Sequence, residues 1–155
     1  GVEIVVASNS KTEKIEHLFR KAGQTVTNDK SIIRGRLHAI GDARKFIIDN
    51  DFTEVPENYE ITERFKVSLR RSNYFNILLK EMPDFVIGDV FSLDLALPLY
   101  LRMNDKRFSK LKVIQRLHKH TPQWVRDHLS KDEFKGIAFM LDSIDKLPET
   151  IRKNS

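Results

Sequence analysis

The sequence predicts an α/β domain, a parallel sheet flanked by helices, and three observations carry that expectation. Two short apolar runs, Val2-Glu3-Ile4-Val5-Val6-Ala7 and Phe85-Val86-Ile87, have the β-branched, nearly continuous character of buried parallel strands. Each ends in small or acidic residues, Ser8-Asn9-Ser10 and Gly88-Asp89, and is followed by a segment with helical spacing. Two further strand-like segments, Lys112 to Arg116 and Gly136 to Phe139, are separated by a helical pattern.

The elements follow in order. After the first run, Ile15, Leu18, Phe19 and Ala22 form one apolar helical face, with Gly23 placed to end the helix. Ser8 or Ser10, with the backbone N–H groups that open this helix, could hold an anion; N-capping by Asn9 or Ser10 is the plainer use. Residues 24–62 read as a small β-rich insertion. Ile32-Ile33 and Leu37-His38-Ala39-Ile40 suggest one extended piece and Phe46-Ile47-Ile48 another, with Gly41-Asp42 as the hairpin turn. Residues 50–60 are polar, contain Pro56 and read as a loop. Phe65 to Leu69 is a short strand candidate, and Arg70-Arg71 follow it directly. Asn73 to Lys80 is helical, and Pro83 stops that helix.

The stretch 83–98, PDFVIGDVFSLDLALP, is the centre of the reading. An apolar strand ends in Gly88-Asp89, and Asp94 heads the next apolar segment, which continues as a helix to Met103. Ligands of open α/β sheets bind at the carboxyl ends of strands. Two carboxylates placed there suit Mg²⁺, a hard cation that takes oxygen ligands. The alternative is structural: Asp89 ends a strand and Asp94 caps a helix. Further on, His118 and His120 precede Thr121-Pro122 and a helix carrying Trp124, Val125 and Leu129. A zinc site is not expected there, because two histidines lack a third protein ligand. Asp142 to Ile151 reads as a closing turn and helix.

Composition narrows the function classes. The chain has 155 residues, 40% hydrophobic and 32% charged, enough for one domain with its own core. It contains no cysteine, which excludes disulfides, thiolate catalysis and Cys-ligated zinc, and is compatible with a cytoplasmic location. No apolar run reaches membrane-spanning length, and the first residues lack the pattern of a signal peptide, so no membrane association is expected. The net charge is +5. Its basic residues are spread along the chain without a nucleic-acid-binding motif, so a solvated surface is preferred to a nucleic-acid partner.

Taken in order, these features resemble the haloacid dehalogenase superfamily, most of whose members are Mg²⁺-dependent phosphatases. The family's second motif, a strand ending in Ser or Thr, is matched by residues 2–9 with Ser8 and Asn9. Its third, a basic residue ahead of the helix that precedes the acidic strand, is matched by Arg70 or Arg71, with Lys66 a poorer fit. Its fourth, Gly-Asp, four residues, Asp, is matched by Gly88-Asp89 and Asp94. The resemblance covers nearly the whole chain except 24–62. It implies a Rossmann-like sheet and a phosphorylated small-molecule substrate. It further implies Mg²⁺ held by Asp89 and Asp94, a phosphoryl group bound by Ser8 and Asn9, and an anionic intermediate stabilised by Arg70 or Arg71.

One departure matters. The family's first motif, an Asp-x-Asp at the end of the first strand, supplies the nucleophile, and no such strand precedes Ser8. Asp49-Asn50-Asp51 has the spacing and follows Phe46-Ile47-Ile48, but comes too late in chain order. In the family that first strand lies between the strands matched by 2–7 and 84–88. Unpaired edges there are costly. The expectation is therefore that the central strand comes from a preceding segment or a partner chain. A non-catalytic binding or scaffold protein on the same fold is the alternative, with a nucleic-acid-associated basic protein third.

Overall fold

The computed structural model describes residues 3–21, 31–32 and 36–155. The expected strand start at Val2, the C-cap at Ala22-Gly23 and Ile33 lie outside them. The chain divides into two compact units, Gly1–Ile47 and Ile48–Ser155, each described by itself.

In the first unit, β1 (Glu3–Ala7) leads into α1 (Thr12–Lys21), and β2 (Ser31–Ile32) and β3 (Arg36–Ile40) complete a sheet of order β1-β3-β2. The pairing of β1 with β3 is parallel, from Glu3 opposite Arg36 to Ala7 opposite Ile40, while β2 runs antiparallel to β3. Ile15 is the buried residue of α1, and Leu18 is exposed. Ile4 is also exposed, so β1 is not the doubly covered strand its composition predicts. Among the described residues β1 pairs on one side only.

The expected hairpin between 37–40 and 46–48 does not form. Phe46 closes a turn whose Ile47 N–H donates to the Arg44 carbonyl, and Phe46, Ile47 and Ile48 are all exposed. The backbone around Gly41-Asp42 folds back on the loop after β1 instead: Asp42 N–H donates to Ser10 O and Ala43 N–H to Ser8 O, each at 2.9 Å. Those bonds satisfy the turn's donors without a second strand.

The second unit is larger. Residues 50–57 form the expected loop, but β4 (Asn58–Thr62) follows and pairs antiparallel with β5 (Phe65–Ser68). Then α2 (Ser72–Glu81) ends at Met82, which adopts the left-handed cap conformation and donates its N–H to Leu78 O. Next come β6 (Phe85–Gly88), a single π-helical turn (Phe91–Leu95) and α3 (Ala96–Asn104). The remainder is β7 (Lys112–Arg116), α4 (Gln123–Leu129), β8 (Ala138–Leu141) and α5 (Leu147–Asn154). All three strands of the sheet β6-β7-β8 are parallel, joined by helical crossovers.

The molecule is thus mixed α/β with small parallel sheets flanked by helices. The core of the second unit explains the crossover. Along α3 the buried residues are Ala96, Leu97, Pro98, Leu99 and Leu101, apolar nearly all round, as a helix enclosed by other elements must be. Phe91, Leu95 and Phe108 join them, each contributing roughly 1.5–3 kcal/mol by leaving water. Central strand β7 is buried through Val113, Ile114 and Gln115, whereas β6, paired only with β7 among the described residues, leaves Ile87 38% exposed. Among the described residues no helix is long and apolar enough to cross a membrane.

Candidate functional site

At the carboxyl end of β6, Gly88 permits an approach that no other residue would. A Cβ built there would lie 2.2 Å from Asp94 Cβ and 2.9 Å from its Oδ2. That absent side chain lets the π-helical turn fold back over the strand end. The turn fixes Asp94 through both parts of the residue. Its N–H donates to Val90 O at 2.8 Å, and its Oδ2 accepts from Val90 N–H at 3.1 Å. Its carbonyl accepts from Tyr74 Oη at 2.7 Å, which ties α2 to the acidic turn. Such π-turns recur at functional sites, where they re-aim a side chain.

Arg71 stands at the N-cap of α2 and is 6% exposed. Its Nε donates to Ser68 O at 3.2 Å. Burial lowers the guanidinium below its ordinary value, and the negative charge of Asp94 opposes that shift. Tyr74, three residues on along the same helix face, has its hydroxyl raised, first by burial and then by Asp94. Arg71, Tyr74 and Asp94 are therefore one buried electrostatic group.

Sequence left two arginines open for this place, and the geometry separates them. Arg70 turns the other way: its Nη1 donates to Asn50 O at 3.0 Å and its carbonyl accepts from Asp49 N–H at 2.8 Å. It holds the loop 49–51, in which Asp49 Oδ1 accepts from Asp51 N–H at 3.2 Å. That makes Asp49-Asn50-Asp51 an Asx turn. No strand runs into it, since Phe46 to Ile48 is not a strand, so the premise of a substitute nucleophile motif is not met.

Asp89 is the residue after β6. Its side chain is exposed and has no partner among the described residues, while its carbonyl accepts from Gln115 Nε2 at 2.8 Å. The two carboxylates thus differ. Asp94 is buried and committed, whereas Asp89 is open to solvent and ligand. Among the described residues no three His, Asp or Glu side chains converge as a ready metal cage. Mg²⁺ does not require one, because it keeps several waters and takes one or two carboxylates together with substrate phosphates. The donor set fits in that limited sense, with Asp89 as the available ligand and Asp94 behind it.

Ser8 and Asn9 lie in the first unit, at the carboxyl end of β1. Ser8 Oγ accepts from Ser10 N–H at 3.1 Å, and Asn9 Oδ1 accepts from Lys45 N–H at 2.8 Å. Asn9 is thereby a brace between two loops, while the Ser8 hydroxyl keeps its proton to donate. His118 and His120 bond locally, His120 N–H donating to His118 Nδ1 at 3.1 Å. Two participants escaped the sequence reading. Tyr74 carries one sequence signal, its spacing of three from Arg71. Gln115 was passed over inside a strand, although a lone amide after Val113-Ile114 is itself a signal.

Comparison with protein-family models, with curated proteins and with solved structures finds no match to this chain.

Proposed function

We propose that this chain forms the larger part of a Mg²⁺-dependent phosphatase of the haloacid dehalogenase type, acting on a phosphorylated small molecule. What carries the reading is the buried Arg71–Asp94 group behind Gly88, at the carboxyl end of a parallel strand, with the exposed Asp89 beside it. A buried cation and carboxylate cost more than an apolar pair of similar volume. Residues that bear such a cost at a strand end are candidates for chemistry.

In this reading a carboxylate nucleophile attacks phosphorus, the alcohol leaves with a proton from the acid/base carboxylate of the same Asp-x-Asp, and that carboxylate then takes a proton from the water that cleaves the acyl phosphate to inorganic phosphate. The nucleophile belongs to a strand other than those described, and the edge of β6 left unpaired among the described residues is where a further parallel strand would add. Bound Mg²⁺ would supply charge neutralisation of the phosphoryl oxygens. Asp89 would hold it, and the buried Arg71 would keep Asp94 in place behind the strand end.

The test is hydrolysis of a generic phosphomonoester by the complete protein, with and without Mg²⁺, beside the Asp89→Asn variant. Metal-dependent turnover lost in that variant supports the reading. Mg²⁺ binding without turnover by the complete protein overturns catalysis and leaves a binding protein. Neither binding nor turnover overturns both.

A further inference from the structure

We propose that Gln115 is a positioning residue for Asp89, holding the strand end from which that carboxylate reaches its cation; the proposal rests on the reading of Asp89 as a cation ligand. Gln115 lies on β7, the central strand of its sheet, after Val113 and Ile114, and is fully buried at 0% exposure. An aliphatic residue would suit that environment better, since a buried amide stabilises only when its hydrogen bonds are made.

Its carboxamide orientation is fixed by what surrounds it. Nε2 donates to Asp89 O at 2.8 Å and to Arg116 O at 3.0 Å, so both amide protons are used on carbonyls. A flipped amide would set Oε1 against the same two carbonyl oxygens, which is repulsive. Oε1 is therefore held away from them, buried, with no donor among the described residues. An interior acceptor in that state costs about 1–3 kcal/mol. Unsatisfied buried groups of this kind concentrate where function outweighs stability.

In the parallel register Gln115 sits beside Gly88 on one side and Met140 on the other. From that position its amide reaches the carbonyl of the next residue, Asp89. A backbone carbonyl tied in this way fixes the peptide from which the otherwise unpartnered Asp89 side chain springs. Preorganising a ligand by its supporting shell is worth a measurable part of metal affinity, commonly about 10- to 100-fold.

The experiment is Mg²⁺ titration of the full chain by calorimetry, for wild type, Gln115→Leu and Asp89→Asn. Leucine keeps the volume and removes the amide. The expected result is binding by wild type, none by Asp89→Asn, and about tenfold weaker binding by Gln115→Leu with its melting temperature retained. Equal affinity in wild type and Gln115→Leu overturns the positioning role while the reading of Asp89 stands. Absence of binding in wild type, or binding unchanged in Asp89→Asn, overturns the reading itself and the proposal with it. Should Gln115→Leu fail to fold, the wild-type Gln115 carboxamide proton resonances decide. They shift on Mg²⁺ addition, and not in Asp89→Asn, if the clamp supports the ligand; resonances that stay fixed overturn it.

Discussion

Two Gly-Asp pairs sit at the carboxyl ends of two parallel strands, Gly41-Asp42 after β3 and Gly88-Asp89 after β6. Read along the chain, the first lacks both an apolar strand running cleanly into it and a second carboxylate at useful spacing. The structure puts a strand in front of both. What separates them is what each glycine lets near. A Cβ at Gly41 would meet Thr12 N at 2.1 Å and Lys11 C at 2.6 Å, and Gly41 N–H donates to Thr12 Oγ1 at 2.9 Å. That glycine admits the start of a helix. At Gly88 the intruder is a carboxylate, Asp94, with a buried arginine associated. A strand end becomes a candidate site when the space left by glycine is filled by charge. Filled by backbone, the same dipeptide is a turn.

The largest test of that distinction removes the charge. Arg71→Met should destabilise the second unit by about 3–5 kcal/mol, because it leaves Asp94 buried without its cation. Arg70→Met, which loses a bond to Asn50 O near the surface, should cost about 1 kcal/mol or less. Urea unfolding of both variants checks the contrast; similar losses would sink the separation of the two arginines.

Alanine at each glycine comes next. Both Gly41→Ala and Gly88→Ala should cost roughly 2–3 kcal/mol from overpacking. They should differ in where the damage lies. Gly88→Ala displaces Asp94 and frees the Val90 amide, whose hydrogen exchange should accelerate, while Gly41→Ala leaves that amide protected. Acceleration in both variants would mean that the two strand ends are not independent.

How far the sequence disclosed this follows from what each residue depends on. The bounds of β7 were readable because Val113 and Ile114 sit between basic flanks, and α2 because Pro83 follows it. Strand β4 was missed: Tyr59 and Ile61 alternate with polar neighbours inside a stretch whose single proline and acids read as loop. Its existence depends on pairing with β5, a non-local fact. The Gly-Asp-Asp spacing marked the acidic turn. The choice of Arg71 over Arg70 was not readable, since neighbouring residues on an extended segment point apart and only the register decides which one is buried.

Acid should unfold the two units unequally, with a smaller effect. In α4, His128 is buried among Phe91, Phe134 and Tyr59, whose hydroxyl lies 2.9 Å from Nε2. Burial holds its imidazole down at about 4, with the charge of Lys131 adding to the shift. The folded protein keeps His128 neutral while the unfolded chain takes up a proton near pH 6.5. Stability is therefore full above that pH and declines as pH falls toward 4, by on the order of 2 kcal/mol. Comparing urea midpoints at pH 7.5 and 5.0 tests this. His128→Asn should flatten the dependence for the second unit, and an unaltered slope would assign the acid sensitivity elsewhere.

The smallest perturbation is the most discriminating. Asp42 and Asp89 are both exposed, and neither carboxylate has a side-chain partner among the described residues. Asp42 is in the left-handed region at φ +50°, which asparagine tolerates as well as aspartate. Asp42→Asn and Asp89→Asn should each move stability by less than about 0.5 kcal/mol, as surface changes do. Their ligand behaviour should part completely: Asp89→Asn loses the Mg²⁺ response, and Asp42→Asn keeps it. Loss of the response in Asp42→Asn, with the fold intact, would remove the distinction between the two strand ends, because a carboxylate beside backbone would then bind as well as one beside buried charge.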